Sequence, residues 1–345
     1  MAALFGLGAA RAAIVHHTVE PPPGAGFGDG LMSALGKAVG YDGYCLFGVD
    51  PVTGLSSVMF SRDGLEVVTE RLVRNETVER DANRYQDLIG NSRHVGTLSA
   101  GTAAEPRSNR LHEMLRPQGY GSELRLALVS DGHYWGALSM FREGIHHPFT
   151  ESDADLVSDL SLQLSLALRR YQIGGPATVR RSRPPGVLLF HRNCKDVAIS
   201  DEAHAWLRDL AASGDRGGPT EEDLFRVTHE VATATTQHSS IPMCRGRMPD
   251  GSWLVVSGTR IAEADADVAV VLRSGDPQSI APAFSAWCGL TPKQTQVLDL
   301  VVAGLPAKHI ARNLDVSLHT VNDHLKAVYR KGGVRGREEL LSLLW

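Results

Sequence analysis

Apolar positions along this chain switch between two periods, and each switch marks an element. From Gly30, the stretch LMSALGKAV sets Leu31, Leu35, Ala38 and Val39 on one helical face. GYCLFGVD is a nearly unbroken apolar run closed by the turn DPVTG, which predicts a buried strand, and LSSVMFS predicts a second. Residues 64–90 are polar and helical in parts. SELRLALVS and HYWGALSMF are two strands joined by Asp131-Gly132, a hairpin signal. Thr150 then caps one long helix, TESDADLVSDLSLQLSLALRRY. It is acidic at its start and ends on Arg169 and Arg170, as the helix dipole favours. Leu156, Leu160, Leu164 and Leu168 form a seam along it, for its own sheet or for a second copy of the chain.

GGPATVRRSRPPG has no apolar period and predicts a linker. GVLLFH is a strand, and SDEAHAWLRDLAAS a helix capped by Ser200. TEEDLFRVTHEVATATT is a helix begun by Thr220. PMCRGRMPDGSWLVVSGTRI is two strands around Asp250-Gly251, and DVAVVLRS is one more.

The last part of the chain is helical throughout. Thr291, Pro292 and Gln294 open a helix with Val297, Leu298 and Val301 inward, and Gly304 stops it. A second helix runs from about Pro306 to Leu314, with Ile310, Ala311 and Leu314 inward. After the turn DVS, Ser317 caps a third, which ends at Gly332-Gly333, and a short fourth follows from about Gly336. Two helices joined by a short turn, the second longer and more basic, make the helix-turn-helix plan. In that third helix Val321, Leu325 and Val328 form the inward stripe. His319, Asp323, Lys326 and Arg330 lie opposite, with Asn322 at the flank.

Charge sharpens this picture. The 345-residue chain carries −4, yet Ser285 to Trp345 carries eight Lys/Arg against five Asp/Glu. An acidic body with a basic end fits a nucleic-acid-binding end. At 43% hydrophobic and 21% charged residues, the composition supports more than one core. Cys45, Cys194, Cys244 and Cys288 are scattered without a C-x-x-C, which suits a reduced cytoplasmic setting and excludes a zinc framework. No apolar run reaches membrane-spanning length, so no membrane partner is expected. MAALFGLGAARAAIV has its only charge, Arg11, late, which reads as a leader helix and not a secretory signal.

Enzyme signatures are missing. HEMLR and HEVATATTQH lack the H-E-x-x-H spacing, and no G-x-S-x-G occurs. His16-His17 and His146-His147 read as exposed loop residues. GAGFGDG follows prolines and not a strand, so it is no phosphate loop. We expect no catalytic residue, metal or cofactor. A receiver domain, with its early acidic pair, strand-end Asp and later Lys, is not present in the first module either.

Two resemblances complete the reading. LTPKQTQVLDLVVAGLPAKHIARNLDVSLHTVNDHLKAVYRKGGVRGREEL resembles the DNA-binding domain of the LuxR (GerE-like) regulators along its whole length. The resemblance implies that Asn322, Asp323 and Lys326 face base edges. It also implies that Lys308, Ser317, Thr320, Arg330 and Lys331 hold phosphates. This sequence departs from the family pattern in having Gln294, Pro306, His309, Asn322 and Gly332. Gly332 stands where a leucine is common, so the third helix is expected to end early and to lose a core contact.

The order of elements over 27–172, with DGHYWGALSMFREGIHHPFTESDADLV, resembles a GAF sensor domain. The NKFDE-type motif of cyclic-nucleotide-binding members is absent. Tyr44, Phe47, Phe60 and Trp135 are the aromatic candidates for its pocket. Residues 186–275 resemble a small PAS-like domain in topology.

The expected fold class is α+β: GAF-like and PAS-like antiparallel-sheet sensor domains before an all-α four-helix LuxR-type helix-turn-helix domain. The expected bounds are 1–26 leader, 27–172 GAF-like, 173–185 linker, 186–275 PAS-like, 276–288 linker and 289–345 helix-turn-helix. The expected function is a cytoplasmic, DNA-binding transcriptional regulator. It would act on double-stranded DNA as a homodimer, gated by a small-molecule effector. One alternative is the same tail on sensor domains that serve only as a ligand-free dimerisation scaffold. The other is an enzyme with a DNA-binding tail.

Overall fold

The computed structural model describes residues 8, 10–16, 26–103, 105–174, 183–191, 196–214, 218–237, 241–261 and 267–345. Cys194 and most of the expected 173–185 linker lie outside the described residues. So do His17 and much of the expected leader.

Helix α1 (residues 10–16) and α2 (Phe27–Gly36) precede β1 (Gly43–Val49) and β2 (Ser56–Arg62). Then come α3 (Thr69–Thr77), α4 (Tyr85–Ile89), β3 (Val95–Ser99), β4 (Tyr120–Ser130) and β5 (His133–Glu143). The five strands form one antiparallel sheet in the order β2-β1-β5-β4-β3. Asp131 and Gly132 both take positive φ, 52° and 73°, the geometry of the two-residue turn expected between β4 and β5. Strand alternation sorts the side chains. Tyr44, Leu46, Val58 and Phe60 join Phe27, Leu31 and the later helices in one core. Cys45, Phe47 and Met59 face the other way.

The helix expected over 150–171 is two helices, α5 (Glu151–Ser158) and α6 (Ser161–Ile173). Its start is as expected, with Thr150 and Asp153 exchanging capping bonds. The break follows from the sheet. α5 lies over β3 and β4, α6 over β4, β5 and β1, and one straight helix would not follow a twisted sheet across all of them. The leucine seam packs on this sheet, with Leu160, Leu164 and Leu168 buried.

The second module contains β6 (Gly186–Phe190), β7 (Asp196–Ile199), α7 (Asp201–Gly214) and α8 (Glu221–Gln237). β8 (Met243–Arg247), β9 (Trp253–Arg260) and β10 (Val268–Ser274) complete it. Its sheet order, β7-β6-β10-β9-β8, repeats the strand order of the first. Ser200 and Thr220 start α7 and α8 as expected, each accepting a backbone N–H three residues on. Strand β7 was not foreseen, being short and following the polar sequence HRNCK.

The two sheets meet at their edges, β2 against β8. Gly246 makes this possible, because a Cβ there would lie 1.9 Å from the carbonyl oxygen of Ser57. The buried Gln172 of α6 closes the seam. It donates to Ser57 Oγ at 2.7 Å and accepts from the Arg247 backbone N–H at 3.2 Å. Two buried ion pairs flank it. Arg245 Nη1 is 2.6 Å from Asp50, and Arg226 grips Asp63 with two bonds of 2.7 and 2.8 Å. Ser61 Oγ donates to Asp223 at 2.5 Å. Each edge strand thus covers the other.

The expected linker 276–288 is a helix, α9 (Pro277–Trp287), started by an Asp276–Ser279 capping box. Two prolines and a lack of leucines obscured a regular spacing, in which Ile280, Ala283, Phe284 and Trp287 are all buried. Beyond it lie α10 (Pro292–Val302), α11 (Ala307–Asn313), α12 (Leu318–Gly332) and α13 (Arg337–Leu344).

α9 and α13 anchor this bundle on the body. Trp287 stacks on Trp253 with centroids 5.6 Å apart. Arg169 donates to the Trp287 carbonyl at 2.8 Å and lies 4.1 Å over Trp135. Arg247 and the Trp253 indole both donate to the Leu343 carbonyl, at 2.9 and 2.8 Å.

Removing one partner of a buried ion pair strands the other charge, at about 3–5 kcal/mol. Arg226→Ala should therefore lower the urea unfolding midpoint of the full chain markedly, since Asp63 is 4% exposed. Asp63→Ala in the same chain should recover much of the loss, and a simple sum of the two losses would contradict this account of the seam.

Candidate nucleic-acid interface

Local sequence builds the interface in three steps. Thr291 and Gln294 exchange capping bonds at 3.4 and 3.0 Å and start α10. Gly304, at φ 89°, ends it. α11 starts at Pro306 without any side-chain cap, as the missing capping box implies. Asp315, at φ 51°, turns the chain, and Ser317 caps α12 by accepting the Thr320 N–H at 3.1 Å. Val321 and Val328 are fully buried and Leu325 nearly so, which docks α12 on α10 and α11.

The opposite face of α12 is open. Asn322, Asp323, Lys326 and Arg330 are exposed, as are Lys308 on α11 and Ser317 at the cap. Nothing from the body covers this face among the described residues. Asp323 lies 3.4 Å from His319 and 3.6 Å from Lys326, so the carboxylate that would repel phosphate has two basic neighbours. Reading from sequence named His319 on the outer face but not as Asp323's partner; its spacing four residues before Asp323 was the available signal.

Two of the residues expected at phosphates have other engagements. Lys331 is half-buried and donates to the Gly289 carbonyl at 2.6 Å and to Gln294 Oε1 at 2.9 Å, tying the end of α12 to the start of α10. Thr320 is half-buried, and its hydroxyl lies 2.9 Å from that of Ser317. Arg337 was not assigned a role. It donates to the carbonyls of Leu305 and Val301 at 2.7 and 3.0 Å, satisfying the end of α10.

Gly332 corrects an expectation. α12 does not end early, because Gly332 is its last residue and is buried. A Cβ at this position would come within 2.9 Å of the Phe284 ring. The core contact a leucine would make is supplied from α9.

Of the four aromatic pocket candidates, Phe47 alone lines, among the described residues, the cavity between the first sheet and α8. Tyr44 points the other way and donates to Asp29, and burial, together with that carboxylate, raises its pKa. Phe60 is fully buried between Phe27 and Tyr171. Both lie on the helix-covered face, because strand neighbours alternate. Trp135 is the extra residue of a bulge opposite Leu128 and Val129, which turns it onto α6 beneath Arg169.

Comparison with known proteins agrees with this geometry. Residues 289–344 match the family model "Bacterial regulatory proteins, luxR family", and residues 28–168 match the GAF domain model. The monoamine regulon transcriptional regulator of Klebsiella aerogenes is 43% identical over 56 residues, 16% of this chain and 25% of that protein. The nitrate/nitrite response regulator protein NarL of Escherichia coli K12 is 42% identical over 50 residues, 14% of this chain and 23% of that one. This chain thus spans about a quarter of the curated relatives it matches. The crystal structure of Escherichia coli SdiA aligns over 96% of this chain and 94% of that one. Its TM-score is 0.33 and its identity 13%, too low to carry an argument.

Gly332→Leu, which restores the residue common in LuxR-type domains, should destabilise this protein by ~1–3 kcal/mol through overpacking. Gly332→Leu with Phe284→Ala should regain part of that in a thermal melt. A stabilised single variant would show that Phe284 does not occupy the leucine's place.

Proposed function

We propose that this chain, which carries a luxR-family domain behind a GAF domain, is a DNA-binding transcriptional regulator and not an enzyme. The observation that carries the reading is the open outer face of α12 on a helix-turn-helix whose inner face is fully packed. A helix so presented enters the major groove with its N-terminal half at the base edges. Asn322 suits an adenine edge, and Asp323 can accept from cytosine N4. Lys326 supplies a donor for guanine. Lys308, Ser317 and Arg330 flank this face and suit phosphates. Lys331 contributes by holding α12 in place.

One such domain makes few base contacts, so we propose a homodimer on two half-sites about one DNA turn apart. Leu162 and Leu166, 49% and 42% exposed on the outer side of α6, offer an exposed apolar stripe for it. No helix among the described residues is long and apolar enough to cross a membrane. We place the protein in the cytoplasm. The two preceding modules are proposed to sense a small molecule. The alternative of a ligand-free scaffold loses ground to the cavity described below.

Gel shifts on genomic fragments test the reading. Lys326→Ala should weaken discrimination between preferred and scrambled sites by roughly 1–3 kcal/mol. Lys308→Ala should weaken all sites alike and reduce the slope of log affinity against log salt by about one. A wild-type chain with no salt-sensitive DNA binding would sink the proposal.

A further inference from the structure

A cavity of about 120 Å³ lies between the first sheet and α8 of the second module. It is a little smaller than the roughly 150 Å³ that admits benzene, so it has room for roughly five non-hydrogen atoms. Phe47, Met59, Leu72 and Phe141 give it apolar walls.

Four carboxylates also line it, Asp63, Glu76, Glu123 and Glu230, against two guanidiniums, Arg125 and Arg226. Three of the carboxylates have a cation. Arg226 holds Asp63, Arg110 and Arg125 hold Glu123 at 2.9 and 2.8 Å, and Arg125 holds Glu76 at 2.6 Å. Glu230 meets Ser56, accepting from its backbone N–H at 3.2 and 3.3 Å and from its side-chain hydroxyl, and no cation pairs with it among the described residues.

A carboxylate on a largely apolar wall is costly without a countercharge. Burial, with repulsion from Glu76, pushes Glu230 up to about 7. An anionic ligand would find both guanidiniums already engaged. A neutral apolar one would leave Glu230 desolvated. No group of three or more metal-ligating side chains is present among the described residues.

We propose that this cavity binds a small organic ammonium ion, its charged head on Glu230 and its short carbon chain on Phe47, Met59 and Phe141. The inference rests on the sensor reading above and gives it a ligand class. Glu230 belongs to the second module and Glu76 to the first, so the ion would tie the two together.

Calorimetry on the full chain at pH 8, with n-propylammonium, 1-propanol and propionate as probes, tests it. Propylammonium should bind roughly tenfold or more tighter than propanol, the range for a hydrogen bond to a charged group, and propionate should not bind. Affinity for propylammonium should fall as pH drops from 8 to 6. Over that window Glu230 gains a proton and loses its charge, beside Glu76, Glu123 and Asp63 with the arginines that hold them.

Glu230→Gln keeps the acceptor for Ser56 and should abolish the preference for the ammonium. Equal binding of propanol and propylammonium, an unchanged preference in the variant, or no saturable ammonium binding would each overturn the proposal. If the variant does not fold, the wild-type comparison of ammonium with alcohol decides alone. Gel shift of the same preparations separates the two readings. Intact DNA binding without ammonium binding removes only this inference, and the converse removes only the regulator.

Discussion

The close approach of β2 and β8 at Gly246 sets the arrangement of everything else. A side chain there would collide with the Ser57 carbonyl, so only glycine lets the two sheet edges meet. The contact is not itself a sheet ladder, since the strands belong to separate sheets. It is held by polar groups around it: Gln172 across the seam, and Asp50–Arg245 and Asp63–Arg226 on its flanks. Buried charge pairs of this kind add little net stability, but they penalise any other registry strongly. The seam therefore fixes a position more than it adds strength. Because α8 packs on β2, the same seam also closes the cavity with Glu230.

The helix-turn-helix inherits its place from that body through tryptophans. Trp135 comes from the first sheet, Trp253 from the second and Trp287 from α9, and all three lie in the core that also holds Val321 and Val328. β8 and β9 are shared between the seam and this junction. Arg247, whose backbone N–H meets Gln172, reaches the Leu343 carbonyl with its side chain. Burial lowers its pKa to about 10, which leaves it charged at neutral pH. A shift of β8 at the seam would move the group that holds α13.

Much of this was legible in the sequence, for reasons specific to each element. Thr150, Thr220, Ser200, Thr291 and Ser317 announced helix starts because capping depends on near neighbours. The Val321–Leu325–Val328 stripe fixed which face of α12 is outward. The helix α9 was missed because its apolar spacing is carried by Ile280, Phe284 and Trp287 and interrupted by Pro282. The pocket candidates were chosen by residue type and not by strand parity, so Tyr44 and Phe60 lie on the face opposite the cavity. The bulge that turns Trp135 depends on pairing with β4, which no local pattern shows. Glu230 was invisible for a similar reason, since its isolation from cations exists only once α8 lies against the first sheet.

Gly332 connects these levels. At the end of the reading helix, a departure from the common leucine looked like a loss of packing. The missing side chain instead receives Phe284 of α9, and Lys331 beside it fastens to Gly289 and Gln294. The back and the far end of α12 are thus bound to the body, while Asn322, Asp323 and Lys326 stay in solvent. A signal from the sensor modules cannot act by uncovering a face that is already uncovered. In the proposed homodimer it would act on where the bound end of α12 sits relative to the second copy, and so on whether two such helices match successive grooves of one DNA.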